Sequence, residues 1–207
     1  MLFVNYADIL PKLITLGIVE VEDENDLVRL EINPDLPDSA LSVSHHPSTG
    51  SQLHIHHISD PSSQVLPYPE AGLFSMSAAE LPEVLDRVLS KLHLPDLLVI
   101  PVGVWRDVID SIAFDLAADP NWTEIDAMAA LHQNTRNALA VPRSETPVLI
   151  NMIRALLNNA QGPQHDLIIT SDSTLLLIEL FHDGALSITS EFDLNDQITR
   201  APSSSEG

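Results

Sequence analysis

The feature that most constrains the fold is a short, unbroken apolar run at residues 97–102, which follows Pro95 and includes Pro101 near its end. Apolar and polar residues do not alternate in this run, so it predicts a strand that is buried on both faces. On either side of it, apolar residues recur with helical spacing, over residues 81–92 and again over 105–116. The middle of the chain is therefore predicted to hold a buried strand between two packed helices.

The N-terminal part is predicted to be rich in strands. A short helix over residues 8–16 is expected to begin with Asp8 as its cap and to end at Gly17. Alternating apolar and charged residues then predict strands at 19–22 and 28–32. A second hairpin is predicted with arms at 41–45 and 51–58, in a register that pairs Val43 with Leu53.

The C-terminal part is predicted to close with strands. Thr123 and Asp126 resemble a capping box that opens an Ala-rich helix to about residue 139, and Thr146-Pro147 opens another that stops at Gly162-Pro163. Three strands follow, at 167–170, 175–181 and 185–192. Strands and helices are segregated along the chain, which predicts an α+β fold: an antiparallel strand-rich N-terminal part, a helical middle and a C-terminal three-stranded meander. In element order alone, this is similar to small acidic dimeric secretion chaperones.

The prolines and serines predict where the chain divides. Residues 1–60 form the strand-rich part, 61–76 a Pro-rich connection, and 77–198 the helical region with its closing meander. Residues 199–207 form a Ser-rich tail that is predicted to be disordered. One continuous domain over residues 1–198 is the alternative organisation.

Charge and cysteine content limit the function classes. Thirty Asp and Glu stand against nine Lys and Arg, a formal net charge of −21, which disfavours binding to nucleic acid or anionic lipid and favours a basic protein partner. The competing explanation, which we favour, is that the acidity only keeps the protein soluble. With no cysteine, no signal-like N-terminus and no apolar run of membrane-spanning length, the sequence predicts a cytoplasmic protein.

The first candidate site is a histidine pair. His54 and His56 are two apart on a predicted strand, so both imidazoles lie on one face, a spacing that can chelate a divalent transition metal. A working site needs a third ligand, and the predicted register places Ser42 and Ala40 opposite the two histidines. We therefore favour a solvated strand face over a metal site, and no other cofactor is predicted.

The second candidate site contains His132, Asn134 and Arg136. His132 and Arg136 continue the core-facing stripe of the predicted Ala-rich helix, where a buried polar group must find a partner. One interpretation is a structural hydrogen bond to an acidic residue such as Asp110 or Asp115. The other is a small anion pocket formed by the three side chains.

The sequence carries no catalytic signature, neither a Gly-x-Ser-x-Gly elbow nor a Gly-rich phosphate loop. The leading hypothesis is therefore a non-enzymatic protein-interaction or adaptor module, with a basic protein partner or a homodimer formed through a sheet edge. The alternative is a small-ligand-binding protein or enzyme with its site around His132 and Arg136.

Overall fold

A computed structural model describes residues 1–21, 27–33, 41–45, 52–57, 60–67 and 81–191. Among them are five α-helices: α1 (Tyr6–Thr15), α2 (Leu81–Leu92), α3 (Trp105–Leu116), α4 (Pro120–Ala129) and α5 (Thr146–Asn159). The strands are β1 (Leu2–Val4), β2 (Ile18–Val21), β3 (Arg29–Ile32), β4 (Leu41–His45), β5 (Gln52–His57), β6 (Asp60–Pro67), β7 (Asp96–Pro101), β8 (Ala138–Pro142), β9 (Leu167–Thr170), β10 (Leu176–Leu180) and β11 (Leu186–Ser190). No helix in these ranges is long and apolar enough to cross a membrane.

Nine of the strands form one antiparallel sheet in the order β1-β8-β7-β9-β10-β11-β4-β5-β6, while β2 and β3 form a separate hairpin. The predicted α+β class and the C-terminal meander β9-β10-β11 are confirmed. The sheet joins distant parts of the chain, because β1 pairs with β8 and β4 pairs with β11. The proposed division at residues 61–76 stays a prediction.

The sheet has an apolar core on each face. Side chains of α2 to α5 pack on one face, against alternate sheet residues such as Val99 and Ile178. Helix α1 and the β2–β3 hairpin pack on the other face, against Leu98, Ile100 and Leu177. Strand β7 therefore contributes to both cores, as its unbroken apolar sequence predicts.

Local sequence signals explain several element boundaries. The Asn5 side chain accepts a hydrogen bond from the Ala7 N–H and so caps α1, one turn earlier than the predicted Asp8. The helix ends at Thr15, and Gly17, which follows its cap Leu16, has a φ of 88° that favours glycine. Gly184, with a φ of 83°, closes the turn between β10 and β11.

The predicted helix to about residue 139 is wrong. Helix α4 ends at Ala129, and residues 138–142 form β8, which lies between β1 and β7. The predicted capping box is also wrong, since Asp119 caps α4 and Pro120 follows at its first position. Alanine favours helix, but here pairing with two strands overrides that propensity.

Two further predictions need correction. In the β4–β5 hairpin Val43 pairs with Ile55 instead of Leu53, a shift of two residues in register. Residues 60–67, which overlap the predicted Pro-rich connection at 61–76, form β6 at the end of the sheet. Proline has no backbone N–H to donate. A strand at the end of a sheet tolerates it, because the outer side of such a strand pairs with no second strand. Residues 22–26, between the first two predicted strands, and the predicted tail at 199–207 lie outside the described residues.

Candidate functional site

A cavity of about 380 Å³ lies beside β3, over the part of the sheet where β9 and β10 pair. Backbone hydrogen bonds connect the segments around it: the Val28 N–H donates to the Val102 carbonyl at 2.9 Å, and the Val102 N–H donates to the Asp166 carbonyl at 3.0 Å. The polar side chains that line the cavity are Arg29, Glu31, Asp166 and Glu179. The hairpin and the sheet thus form the walls together.

Glu179 occupies a core-facing position of β10. Leu177 and Leu175, two and four residues earlier, belong to the core beneath α1, so strand alternation places Glu179 on the same face. Burial raises the pKa of the Glu179 carboxyl, and the nearby Glu31 carboxylate raises it further. The Arg29 guanidinium and a hydrogen bond with Ser187 act in the opposite direction but do not cancel the effect.

Asp166, which is 7% exposed, is the second carboxyl in the cavity. Its Oδ1 accepts a hydrogen bond from the His182 backbone N–H and contacts the His182 Nδ1, each at 2.7 Å. Burial raises the pKa of Asp166, and the hydrogen bonds and charge of His182 oppose that rise only in part. Titratable groups with perturbed pKa values in a concave site are typical of functional sites.

The cavity wall also has apolar surface, contributed by residues such as Val102, Ile168 and Phe181. The cavity therefore combines three carboxyl groups and one guanidinium with apolar wall surface, and its volume suits a small organic ligand. Within the described ranges, no three His, Asp or Glu side chains converge closely enough to hold a metal ion.

The structure places His132 at a junction rather than in this cavity. Its ring stacks on Phe3 with the ring centroids 4.4 Å apart, and its Nδ1 contacts the Asn137 Nδ2 at 3.2 Å. The Asn137 Oδ1 accepts the Tyr6 N–H at 3.3 Å. His132 and Asn137 therefore connect the segment before β8 to the start of α1, so neither of the acidic partners predicted for His132 is used.

Asn134 and Arg136 lie in the same segment, Asn134 exposed and Arg136 half-buried. Arg136 is close to Tyr6, where its charge partly offsets the rise in the Tyr6 pKa caused by burial and by Glu20. Neither the 380 Å³ cavity nor a smaller one of about 120 Å³ beside Met128 is lined by His132, Asn134 or Arg136. The anion pocket stays a prediction.

The backbone of β5 places His54 opposite Ser44 and His56 opposite Ser42, in place of the predicted Ser42 and Ala40. On its other side, His54 is paired with Val65 of β6. The side chains of these strands lie outside the described part of the structure, so the metal site also stays a prediction.

A different surface feature lies on α3. Its buried residues face the sheet, whereas the Phe114 side chain is 92% exposed on the opposite side. One and two turns earlier on the same stripe are Asp110 and Asp107. An aromatic ring beside carboxylates on a rigid helix can act as an anchor for a protein partner.

Three residues of these sites were not predicted from the sequence: Glu179, Asp166 and Phe114. A signal existed for Glu179, because it is the lone charge in an otherwise apolar strand, and for Phe114, because it is off the apolar stripe of α3. Comparison of the chain with protein-family models, with curated proteins and with solved structures finds no match.

Proposed function

We propose that this chain is a non-enzymatic interaction protein that binds a basic, amphipathic segment of another protein on the outer face of α3. The observation that carries the proposal is Phe114, a large apolar side chain that is 92% exposed on a well-packed helix. When a partner covers such a side chain, a large apolar surface is removed from water, and aromatic residues are frequent binding hot spots.

Charge around Phe114 supports a basic partner. The α3–α4 segment, residues 105–129, has six acidic residues and one basic residue, Arg106. Asp110, Glu124 and Asp126 are exposed there. Carboxylates around an apolar anchor steer a cationic partner toward it and repel nucleic acid and anionic lipid. For the setting we propose the cytoplasm, which the absence of cysteine supports.

A binding experiment with a defined probe tests the proposal. The probe is a synthetic Leu/Lys peptide whose leucines fall on one helical face, and the control peptide has the same composition with its leucines scattered. The wild-type protein is expected to bind the amphipathic peptide more tightly than the scattered one. Phe114→Ser should lower the affinity for the amphipathic peptide by about 30-fold, which is equivalent to the ~2 kcal/mol expected for burying a phenylalanine.

The matched control is Ile14→Ser, which removes a side chain that is 52% exposed on α1, across the sheet from α3. Serine, isoleucine and phenylalanine have similar helix propensities, so both variants should remain folded. Equal affinity for the two peptides, or equal losses in the two variants, would reduce the interaction to general charge attraction and overturn the proposal. A wild-type dimer that Phe114→Ser converts to a monomer would instead identify a second copy as the occupant.

A further inference from the structure

We propose that the cavity beside β3 is a binding site for a small organic cation with an aliphatic body, whose ammonium group is held between Glu179 and Asp166. This site is on the opposite face of the sheet from α3, so it is separate from the proposed protein-binding surface. The polar lining has three carboxyl groups, from Glu31, Asp166 and Glu179, against the single guanidinium of Arg29. The excess of acid selects a cation over an anion.

Burial makes this charge excess effective. Glu179 is half-buried and Asp166 is 7% exposed, so an ammonium group beside them would be screened by water and salt less than at an exposed carboxylate. Asp166 already has His182 as a partner at 2.7 Å, which leaves Glu179 as the principal anion for a ligand. Arg29 and Glu31 of β3, Asp166 before β9 and Ser187 of β11 are the charged and hydrogen-bonding groups that act on Glu179.

The upward shift in the Glu179 pKa has a consequence for binding. Burial and the Glu31 carboxylate disfavour the ionised form of Glu179, and a bound ammonium would favour it. Cation binding is therefore linked to loss of a proton from Glu179. Affinity should rise with pH through the range in which the unliganded carboxyl titrates.

The rest of the lining selects an organic cation rather than a metal ion. Val102, Ile168 and Phe181 supply apolar surface that an alkyl chain can cover. Across the described part of the chain, no group of three potential metal ligands is present. A volume of about 380 Å³ accommodates a short alkylammonium or diamine.

Isothermal titration of the full chain with putrescine, butane-1,4-diol and succinate tests the proposal. These probes have the same four-carbon backbone but differ in charge. We expect one putrescine per chain, and no measurable binding of the diol or the dianion under the same conditions. Putrescine should also bind more weakly as pH is lowered from 8 toward 4.5, the ordinary pKa of a glutamate carboxyl.

Two variants separate this site from general attraction to an acidic protein. Glu179→Gln should lower the affinity for putrescine by about 10-fold or more, the loss expected for one charge-assisted hydrogen bond. Asp126→Asn makes the same change in net charge at an exposed position on α4, and should change affinity less than 2-fold. Equal losses in the two variants, preferential binding of succinate or the diol, or no binding of putrescine would each overturn the proposal.

Discussion

Replacing His132 by alanine tests whether this residue, predicted as part of an anion pocket, is a structural connection. The substitution removes the contact between His132 Nδ1 and Asn137 Nδ2 at 3.2 Å, worth about 1 kcal/mol net. It also removes the stack on Phe3, whose ring centroid is 4.4 Å away, worth about another 1 kcal/mol. His132→Ala should therefore lower the free energy of unfolding by ~2 kcal/mol.

Two companion variants divide this loss. His132→Phe keeps an aromatic ring that can stack on Phe3 but removes the hydrogen bond, so it should lower the free energy of unfolding by only about 1 kcal/mol. Asn137→Ala removes the same hydrogen bond together with the acceptor of the Tyr6 N–H, and should cost about 2 kcal/mol. Because the two alanine substitutions share one interaction, the double variant should be more stable than additivity predicts by about 1 kcal/mol.

Urea denaturation followed by tryptophan fluorescence measures these differences. Trp105 is a suitable probe, since it is fully buried, has Phe3 edge-on at 5.3 Å and donates its Nε1–H to the Asn137 carbonyl at 2.5 Å. The slope of unfolding free energy against urea should be unchanged. If His132→Ala lay within about 0.5 kcal/mol of the wild type, or if the double variant were additive, the structural assignment would be wrong.

Two further variants test the cavity and a close backbone contact. Glu179→Gln should be more stable than the wild type at pH 8, because a carboxyl with a raised pKa favours the folded state when protonated and loses that contribution as pH rises through the raised value. In thermal unfolding, the advantage of the variant should shrink as pH falls from 8 toward 4.5, the ordinary pKa of a glutamate, and a constant or growing advantage would contradict this. Gly103→Ala would place a Cβ 2.8 Å from the Gln164 carbonyl oxygen, so its unfolding free energy should fall by about 1–3 kcal/mol in urea, whereas unchanged stability would show that the backbone can move away.

The sequence predicted best those elements whose apolar pattern is decided locally. Helices α2 and α3 follow unbroken stripes, and β7 follows a run with no polar residue at all. Strand β8 was missed because its sequence, Ala-Leu-Ala-Val-Pro, suits a helix as well as a strand. Its conformation depends on pairing with β1 and β7, which lie elsewhere in the chain.

The cavity could be predicted only in part. Glu179 interrupts an apolar strand, and a lone carboxyl at such a position must be either paired or functional. Its neighbours Arg29 and Glu31 come from a hairpin much earlier in the chain, and their approach depends on how that hairpin packs against the sheet. Alternation within each strand does not determine this packing. The residue was therefore identifiable from sequence, but its site was not.

Burial separates the two uses of acidity that we propose for this protein. Carboxylates around Phe114, such as Asp110, are exposed, so their attraction for a basic peptide should fall steeply as salt screens it. Glu179 and Asp166 are withdrawn from water, and the same salt should affect a cation beside them much less. Raising the salt concentration from about 0.05 M to 0.5 M should therefore lower the affinity for the Leu/Lys peptide more than the affinity for putrescine. If putrescine lost affinity as steeply as the peptide, its binding would come from the overall charge of −21 and not from the cavity.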